Sequence, residues 1–130
     1  DDTYGVHLRG STVSLGNSGT ISASGEYSHA VVAHSDLPAT TTIENSGTIE
    51  ATGGEADAIR ASGPSVYITN EEGGIISSDD GDAIYAFDTK YVSIVNHGDI
   101  YGDVIAVAED FYEFGASAYV LNTGLIDGDL

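Results

Sequence analysis

Several residue types are missing from this chain of 130 residues or scarce in it. It has no cysteine, methionine or tryptophan, and only 3 Lys or Arg residues against 21 Asp or Glu. Without cysteine there is no disulfide framework, thiolate metal site or cysteine nucleophile. The formal net charge of −18 argues against nucleic acid as a partner, because phosphate binding needs Lys and Arg to replace counterions. It also argues against anionic membranes and polyanionic sugars.

Long apolar runs and targeting segments are absent as well. No run approaches the ~18 apolar residues that span a bilayer, so we expect no membrane insertion of this segment. No basic stretch followed by an apolar stretch marks a signal peptide. Because no initiator methionine is present, we expect residues 1–130 to form a single section of a longer chain, with no obvious caps. The apolar fraction of 41% is typical of a globular protein rather than a disordered acidic tail.

An internal repeat runs through the chain. All five asparagines stand in one motif, at spacings of 28, 25, 26 and 26 residues: Asn17, Asn45, Asn70, Asn96 and Asn122. An aliphatic residue lies two positions before each of the five, and in four repeats Gly and Ile follow two and four positions later. The third repeat carries one extra residue by this alignment, which places its isoleucine at Ile75 and indicates a bulge. Alternation of this kind has the period of a β-strand, not of a helix.

A second short apolar segment precedes each motif. The five segments read Val6-His7-Leu8, Val31-Val32-Ala33, Ile59-Arg60-Ala61, Ile84-Tyr85-Ala86 and Ile105-Ala106-Val107. One repeat cannot bury its apolar side alone, whereas stacked repeats bury a continuous core and pair each strand with its equivalents above and below. The sequence therefore predicts an all-β fold, a parallel β-solenoid of about five coils of ~26 residues with three short strands each. Because parallel crossovers favour one hand, we expect a right-handed β-helix.

The repeated asparagines have the strand parity of the inward aliphatic residues. Their side chains should therefore point into the core at a corner, where an unpaired amide would cost a few kcal/mol. Stacked amides solve this problem, because each NH2 can donate to the carbonyl oxygen of the next coil. We predict a structural ladder of Asn17, Asn45, Asn70, Asn96 and Asn122 that fixes the register. A catalytic or ligand-binding role for these residues is the alternative.

The repeat units resemble those of a known family. Asn-Ser-Gly-Thr-Ile at 17–21 and 45–49, followed by Asp-Ala-Ile-x-Ala at 57–61 and 82–86, is similar to the repeats of bacterial autotransporter passenger domains. The resemblance covers nearly the whole chain. It implies a right-handed β-helix secreted across the outer membrane of a Gram-negative bacterium, and so an extracellular or cell-surface location. The absence of cysteine fits that family, but its translocator barrel and a capping segment are not found in this sequence.

An acidic column is expected before the first strand of each coil. Stacking would align His29 with four carboxylates: Asp57, Asp82, Asp103 and Asp129. Bare repulsion between such neighbours is about 0.9 kcal/mol per pair in water at ~4.8 Å. A hard cation would relieve it, and calcium prefers oxygen-rich sites. Calcium at these four residues is thus one hypothesis, although the strict calcium-binding repeat is absent; a solvated acidic face that keeps the protein soluble is the other.

An aromatic contact region is predicted near the fifth coil. The longest insertion spans residues 108–117 and contains Phe111, Tyr112 and Phe114. Insertions at one corner of a solenoid often form its binding side. Outward positions also become apolar in the later coils, where Tyr119 and Leu121 follow polar outward residues of the first two coils. These five residues are candidate contacts for a partner chain or a sugar ring; alternatively, the insertion folds back over the adjacent coil.

No enzymatic constellation is recognisable. Only Arg9, Arg60 and Lys90 could neutralise an acidic sugar, and with 21 acidic residues some pair will reach a glycosidase spacing by chance. The histidines show no nucleophile or metalloprotease spacing, and His29 and His34 are predicted to be solvated surface residues.

The sequence therefore favours a non-enzymatic function. We expect an acidic structural or adhesive passenger segment of a secreted cell-surface protein, a rigid rod that presents contacts for adhesion, autoaggregation or fibre assembly. Its partners would be copies of itself or components of a host or neighbouring cell surface, with carbohydrate as a further option. No cofactor is expected apart from the hypothetical calcium. The alternatives are a calcium- or carbohydrate-binding β-helix module, or a fragment of a polysaccharide-processing β-helix enzyme.

Overall fold

The strands of this chain follow the predicted repeat. The computed structural model describes residues 4–109 and 115–130, and every regular element within them is a β-strand. The strands are β1 (Tyr4–Gly10), β2 (Val13–Asn17), β3 (Thr20–Ala23), β4 (His29–Ser35), β5 (Thr40–Asn45), β6 (Thr48–Ala51), β7 (Ile59–Ser62), β8 (Ser65–Asn70), β9 (Ile75–Thr89), β10 (Tyr91–Asn96), β11 (Asp99–Ala108), β12 (Ser117–Asn122) and β13 (Leu125–Asp127). The described residues contain no candidate membrane-spanning helix.

The strands form two parallel sheets around which the chain winds in about five turns. The first sheet has the order β1-β4-β7-β9-β11-β13 and also contains β3 and β6, while the second has the order β12-β10-β8-β5-β2. Each strand pairs with its equivalent one coil away, so that the five asparagines are in register from Asn17 to Asn122. The predicted parallel β-solenoid is confirmed.

The later coils do not contain the predicted three separate strands. The first two coils each contain three, but β9 and β11 both continue from the third strand of one coil into the first strand of the next. The register between β9 and β11 shifts between Tyr101 and Asp103 and again beside Val104. The chain therefore turns at these corners through bulges within a continuous strand, which bend it without a separate loop.

Columns of aliphatic side chains fill the interior. One column runs Leu15, Ile43, Ile68, Ile94, Val120; another runs Ile21, Ile49, Ile76, Ile100, Ile126; a third runs Val31, Ile59, Ile84, Val104. The isoleucines of the three middle coils are at most 1% exposed, and each such burial contributes about 1.5–3 kcal/mol. Thr41 enters a valine column, where its hydroxyl donates to Ser62 O at 2.9 Å and so is not left unpaired.

Two details of the predicted alignment are wrong. Ile76, not Ile75, pairs with Ile49 and Ile100 in the buried column, so the third coil carries two extra residues rather than one. In the fifth coil, Val104 pairs with Ile84 and is buried, whereas Ile105 is 38% exposed. Both errors arise at corners, where the third coil gains residues and the fifth coil has one fewer than the fourth just before Val104, while the strand alternation on either side stays intact.

In the second to fifth coils, the glycine at the corner after the asparagine lies against the preceding coil. A Cβ on Gly47 would meet the backbone of Ser18 and Gly19, and one on Gly98 or Gly124 would meet backbone atoms of the coil before it. The corner can be this tight only without a side chain. Gly74 takes the place of Gly47 in the third coil, since Ile75 N–H donates to Gly47 O and Asp99 N–H to Gly74 O.

Candidate functional site

The five asparagine side chains form one continuous hydrogen-bonded ladder. The Nδ2 of each donates to the Oδ1 of the asparagine in the next coil, at 2.8 Å from Asn17, 2.9 Å from Asn45, 2.9 Å from Asn70 and 2.8 Å from Asn96. The middle three side chains are at most 1% exposed. The ladder therefore has a direction, with a donor facing one end of the rod and an acceptor facing the other.

The amides of the first four rungs also hold the backbone of two coils. Asn70 Nδ2 donates to Gly74 O at 3.0 Å and to Asp99 O at 3.2 Å, so it links its own corner to the corner of the next coil. Asn45 and Asn96 make the equivalent pairs of bonds. In the part of the chain that the structure describes, no buried side-chain nitrogen or oxygen lacks a partner. The geometry of the ladder is that of a structural element, with its polar atoms used within the protein.

The predicted acidic column forms a second ladder, between side chains and backbone. Asp82 N–H donates to Asp57 Oδ1 at 2.9 Å, and Asp129 N–H donates to Asp103 Oδ1 at 2.8 Å. The same step occurs one coil earlier, where Asp57 N–H donates to His29 Nδ1 at 2.9 Å. Asp57 and Asp103 thus each accept a hydrogen bond from the backbone of the next coil.

The prediction that His29 lies on the surface is wrong. Its side chain is only 11% exposed, and its Nδ1 lies 3.6 Å from Asp57 Oδ2 as well as accepting the Asp57 N–H. Since a ring nitrogen that accepts a hydrogen bond carries no proton, this contact requires the neutral ring with its proton on Nε2. In the second coil, His29 therefore accepts the backbone hydrogen bond that Asp57 and Asp103 accept in later coils. His34 is partly exposed, with Nδ1 2.7 Å from Ser62 Oγ and Nε2 3.4 Å from Asp36 Oδ1.

The calcium hypothesis receives no support from this arrangement. Within residues 4–109 and 115–130, no three His, Asp or Glu side chains are arranged to hold a metal ion. Asp57 is paired with Arg60, whose guanidinium lies 3.5 Å from Asp57 Oδ2. The oxygens of Asp57 and Asp103 accept backbone hydrogen bonds along the rod, so they are spread over successive coils and do not surround one point.

Asp82 is the residue of the column whose charge is disfavoured by its surroundings. Burial raises the pKa of this carboxyl above its ordinary value of 3.8, the neighbouring carboxylates of Asp57 and Asp103 raise it further, and Arg60 opposes them. Folded protein therefore binds this proton more tightly than unfolded protein does. Stability contributed by protonated Asp82 is lost as the pH rises from 3.8 through the raised pKa.

We expect Asp82→Asn to stabilise the protein at neutral pH, because it removes a charge that the column disfavours. The midpoint of thermal unfolding near pH 7 should rise by ~2 °C, and this gain should disappear near pH 3, where the carboxyl is protonated in both states. Asp79→Asn removes the same charge from an exposed position and is the control. Equal gains for both variants would show that general charge reduction is responsible, and a gain that persists in acid would show that it does not depend on the charge of Asp82.

An aromatic face occupies the outside of the second sheet in the later coils. We use this name for Tyr67, Tyr91, Tyr119 and Leu121, which are 45%, 42%, 55% and 38% exposed. Tyr67 and Tyr119 lie in one column on either side of Ser93. Tyr91 lies two residues before Ser93 in β10 and therefore on the same face. The first two coils place Ser14, Thr42 and Glu44 on this face instead.

The aromatic face contains two of the five predicted contact residues, Tyr119 and Leu121. Phe111, Tyr112 and Phe114 lie outside the described residues. Tyr91 was missed by sequence reasoning because it stands at the first position of β10, before the alternating pattern becomes clear; Lys90 Nζ lies 5.2 Å from the centre of its ring. Contiguous exposed apolar and aromatic side chains of this kind mark interaction surfaces.

A second aromatic cluster lies outside the first sheet and was not predicted. Tyr85 and Phe87 stack with ring centres 5.0 Å apart, and the Arg60 guanidinium lies 5.2 and 5.3 Å from them. The Arg60 guanidinium thus contacts both rings and the Asp57 carboxylate. These contacts hold the outer side chains of the first sheet together. A cleft of about 550 Å³ lies nearby and is lined by His34, Leu37, Pro64, Asp88 and Lys90 among others.

Comparison with known proteins found no relative. A scan against protein-family models gave no match, and neither the search of curated proteins nor that of solved structures found a similar chain.

Proposed function

We propose that this chain is a structural and adhesive segment of a secreted bacterial cell-surface protein, of the autotransporter passenger kind that its repeats resemble. It acts without catalysis, as a stiff rod whose outer face makes contacts for adhesion, autoaggregation or fibre assembly. The observation that carries this proposal is the aromatic face, Tyr67, Tyr91, Tyr119 and Leu121, exposed on a sheet whose register the asparagine ladder holds.

The stiffness of the rod supports this function. A parallel sheet in which successive coils are joined by backbone hydrogen bonds and by the asparagine ladder keeps outward residues at fixed spacing. Exposed tyrosines suit adhesive contacts, because each offers a large apolar ring and a hydroxyl at a small cost in side-chain entropy. Partners that fit such a face are surface components of a host or neighbouring cell, including sugars that stack on aromatic rings.

Replacing two tyrosines of the aromatic face should weaken adhesion without unfolding the rod. Beads coated with the double variant Tyr67→Ser, Tyr119→Ser are expected to lose at least ~10-fold of their binding to bacterial or host cells, a loss of ~1.4 kcal/mol. Tyr101→Ser is the matched control, since Tyr101 is similarly exposed, at 39%, but lies on the other sheet. A glycan array probed with the original protein, the double variant and Tyr101→Ser tests whether the partner is a carbohydrate.

The outcomes of this experiment are distinct. Binding that is lost in the double variant and kept in the control supports the aromatic face as the contact surface. Binding that is unchanged in both, or absent from the original protein on every cell type and glycan, would contradict the proposed adhesive function.

A further inference from the structure

The corner between the two sheets changes in length from coil to coil. Strand pairing on either side of it leaves residues 35–39 in the second coil, only residues 63–64 in the third and residues 88–90 in the fourth. The third coil therefore takes the shortest path around this corner. Its two neighbours extend beyond it, so that the corner is indented at the third coil.

This indentation is the cleft of about 550 Å³. Among the described residues its lining comes from residues 34–37 of the second coil, from Gly63 and Pro64 of the third, and from Asp88 and Lys90 of the fourth. The volume lies in the range of roughly 300–1,000 Å³ that is usual for sites of small ligands. Each of the three coils is paired with a coil on either side, so the walls belong to the interior of the rod.

The cleft combines apolar surface with carboxylates. Leu37 is 71% exposed and Pro64 is half-buried, so both present aliphatic surface to a ligand. Asp36 and Asp88 are exposed and stand in the coils on either side of Pro64. A bound group would therefore meet aliphatic side chains in the middle of the cleft and a carboxylate at each wall.

His34 holds the carboxylate of Asp36 at its wall. The ring Nε2 lies 3.4 Å from Asp36 Oδ1, and Nδ1 lies 2.7 Å from Ser62 Oγ. The neutral ring with its proton on Nε2 satisfies both contacts, because Nε2–H then donates to the carboxylate and Nδ1 accepts from the hydroxyl. The carboxylate is thus oriented by an uncharged group, and its negative charge is not cancelled.

The electrostatics of the cleft favour a cation. Two carboxylates, Asp36 and Asp88, stand against the ammonium group of Lys90, whose Nζ lies 5.2 Å from the centre of the Tyr91 ring on the aromatic face. The whole chain carries −18, and a field of that sign raises the local concentration of cationic partners and repels anionic ones.

We propose that the cleft binds an arginine side chain of a basic partner polypeptide. Arginine lays its aliphatic stem along apolar surface and keeps its charged end at a polar edge, which matches Leu37 and Pro64 between two carboxylates. Its guanidinium has five N–H donors and pairs with carboxylates through parallel hydrogen bonds. Tyr91 follows the cleft directly in the chain and extends the contact to rings that also attract cations. The site is distinct from the aromatic face, and its ligand binding does not depend on the adhesive function.

A titration followed by nuclear magnetic resonance tests this site. The probe is a capped peptide with a single arginine among serine, leucine and glycine residues, added to the isotope-labelled chain in ~0.1 M salt, which screens distant charges. We expect changes in backbone amide shifts that concentrate at residues 34–37, 63 and 88–91, with a dissociation constant of ~1 mM or below. The same peptide with citrulline in place of arginine keeps the shape without the charge and should bind at least ~10-fold more weakly.

A pair of double variants separates the cleft from the charge of the whole rod. Asp36→Asn with Asp88→Asn should weaken peptide binding at least ~10-fold. Asparagine suits position 88, where φ is 49°, because Asn and Asp adopt this left-handed region more readily than other side chains do. Asp79→Asn with Asp80→Asn removes the same charge from exposed positions at a different corner and should bind the peptide as the original chain does.

The outcomes distinguish this proposal from the adhesive one. Equal weakening in both double variants, or shift changes spread over distant acidic residues, would overturn the cleft as the site. Shift changes at the cleft with maltose but none with the arginine peptide would overturn the cationic ligand in favour of a sugar. Tyr67→Ser with Tyr119→Ser should bind the peptide normally. Adhesion that is absent while the peptide still binds would contradict the adhesive function alone, and peptide binding that is absent while adhesion persists would contradict the cleft alone.

Discussion

Replacing Asn70 with alanine is expected to lower the free energy of unfolding by about 4 kcal/mol. Asn70 stands on the middle rung, where its NH2 donates to Gly74 O, Asp99 O and Asn96 Oδ1 and its oxygen accepts from Asn45. Alanine removes all four bonds and leaves polar groups without partners in a site that is 1% exposed. Each buried group left unsatisfied costs about 1–3 kcal/mol. Urea unfolding followed by circular dichroism measures the loss.

Asn122→Ala is the matched control for this experiment. Asn122 occupies the same position in the repeat, but it is exposed and accepts one ladder bond, from Asn96. We expect a cost below about 1 kcal/mol. Equal costs at both positions would mean that the side chain matters locally in each coil and that the continuous buried ladder contributes little.

Replacing Gly98 with alanine is expected to destabilise the protein by about 3 kcal/mol or more. The new methyl group would meet Gly74 O and would lie 2.8 Å from Asn70 Nδ2, so the corner must shift and the ladder beneath it must lengthen. Since the obstacle is mainly backbone, a change of side-chain rotamer cannot relieve it. The same unfolding measurement applies, together with the exchange rate of the Asn70 side-chain amide.

Gly16→Ala is the control for backbone flexibility. Nothing lies within 4 Å of a Cβ at Gly16, and alanine there restricts the unfolded chain, so stability should be unchanged or rise by up to about 0.5 kcal/mol. If both substitutions proved neutral, the close approach of successive coils at the Gly98 corner would be contradicted.

Much of the fold was predictable because two features of the sequence repeat together. The regular spacing of the asparagines gives the length of a coil, and the alternation around them gives the strand and its inward side. The pattern cannot locate residues inserted at corners. Glu71 and Glu72 lie outside the strands, so the two-residue insertion before Ile76 changes no alternation, and the pattern alone predicts a single inserted residue. The same limit applies beside Asp103. The register shifts between Asp103 and Val104, and the fifth coil has one residue fewer there than the fourth.

The candidate site was less predictable, because its features depend on neighbours one coil away. The histidine at position 29 gives no signal of burial in the sequence; its partner is the backbone N–H of Asp57, 28 residues later. Likewise, the acidic column suggested a cation site from composition alone, whereas the carboxylates of Asp57 and Asp103 accept hydrogen bonds from the next coil. The Arg60 cluster required knowing that Arg60 and Tyr85 are paired across β7 and β9.

Hydrogen exchange of the side-chain amides tests the stacked asparagine ladder most directly. The sequence has five asparagines and no glutamine, so a nitrogen–proton correlation spectrum contains five carboxamide pairs, which single substitutions assign. The ladder predicts slow exchange and well-separated proton shifts for Asn45, Asn70 and Asn96, and fast exchange for Asn122, whose NH2 has no ladder acceptor in the described contacts. Five pairs that all exchange at the rate of free amides would contradict the ladder and the coil register that it holds.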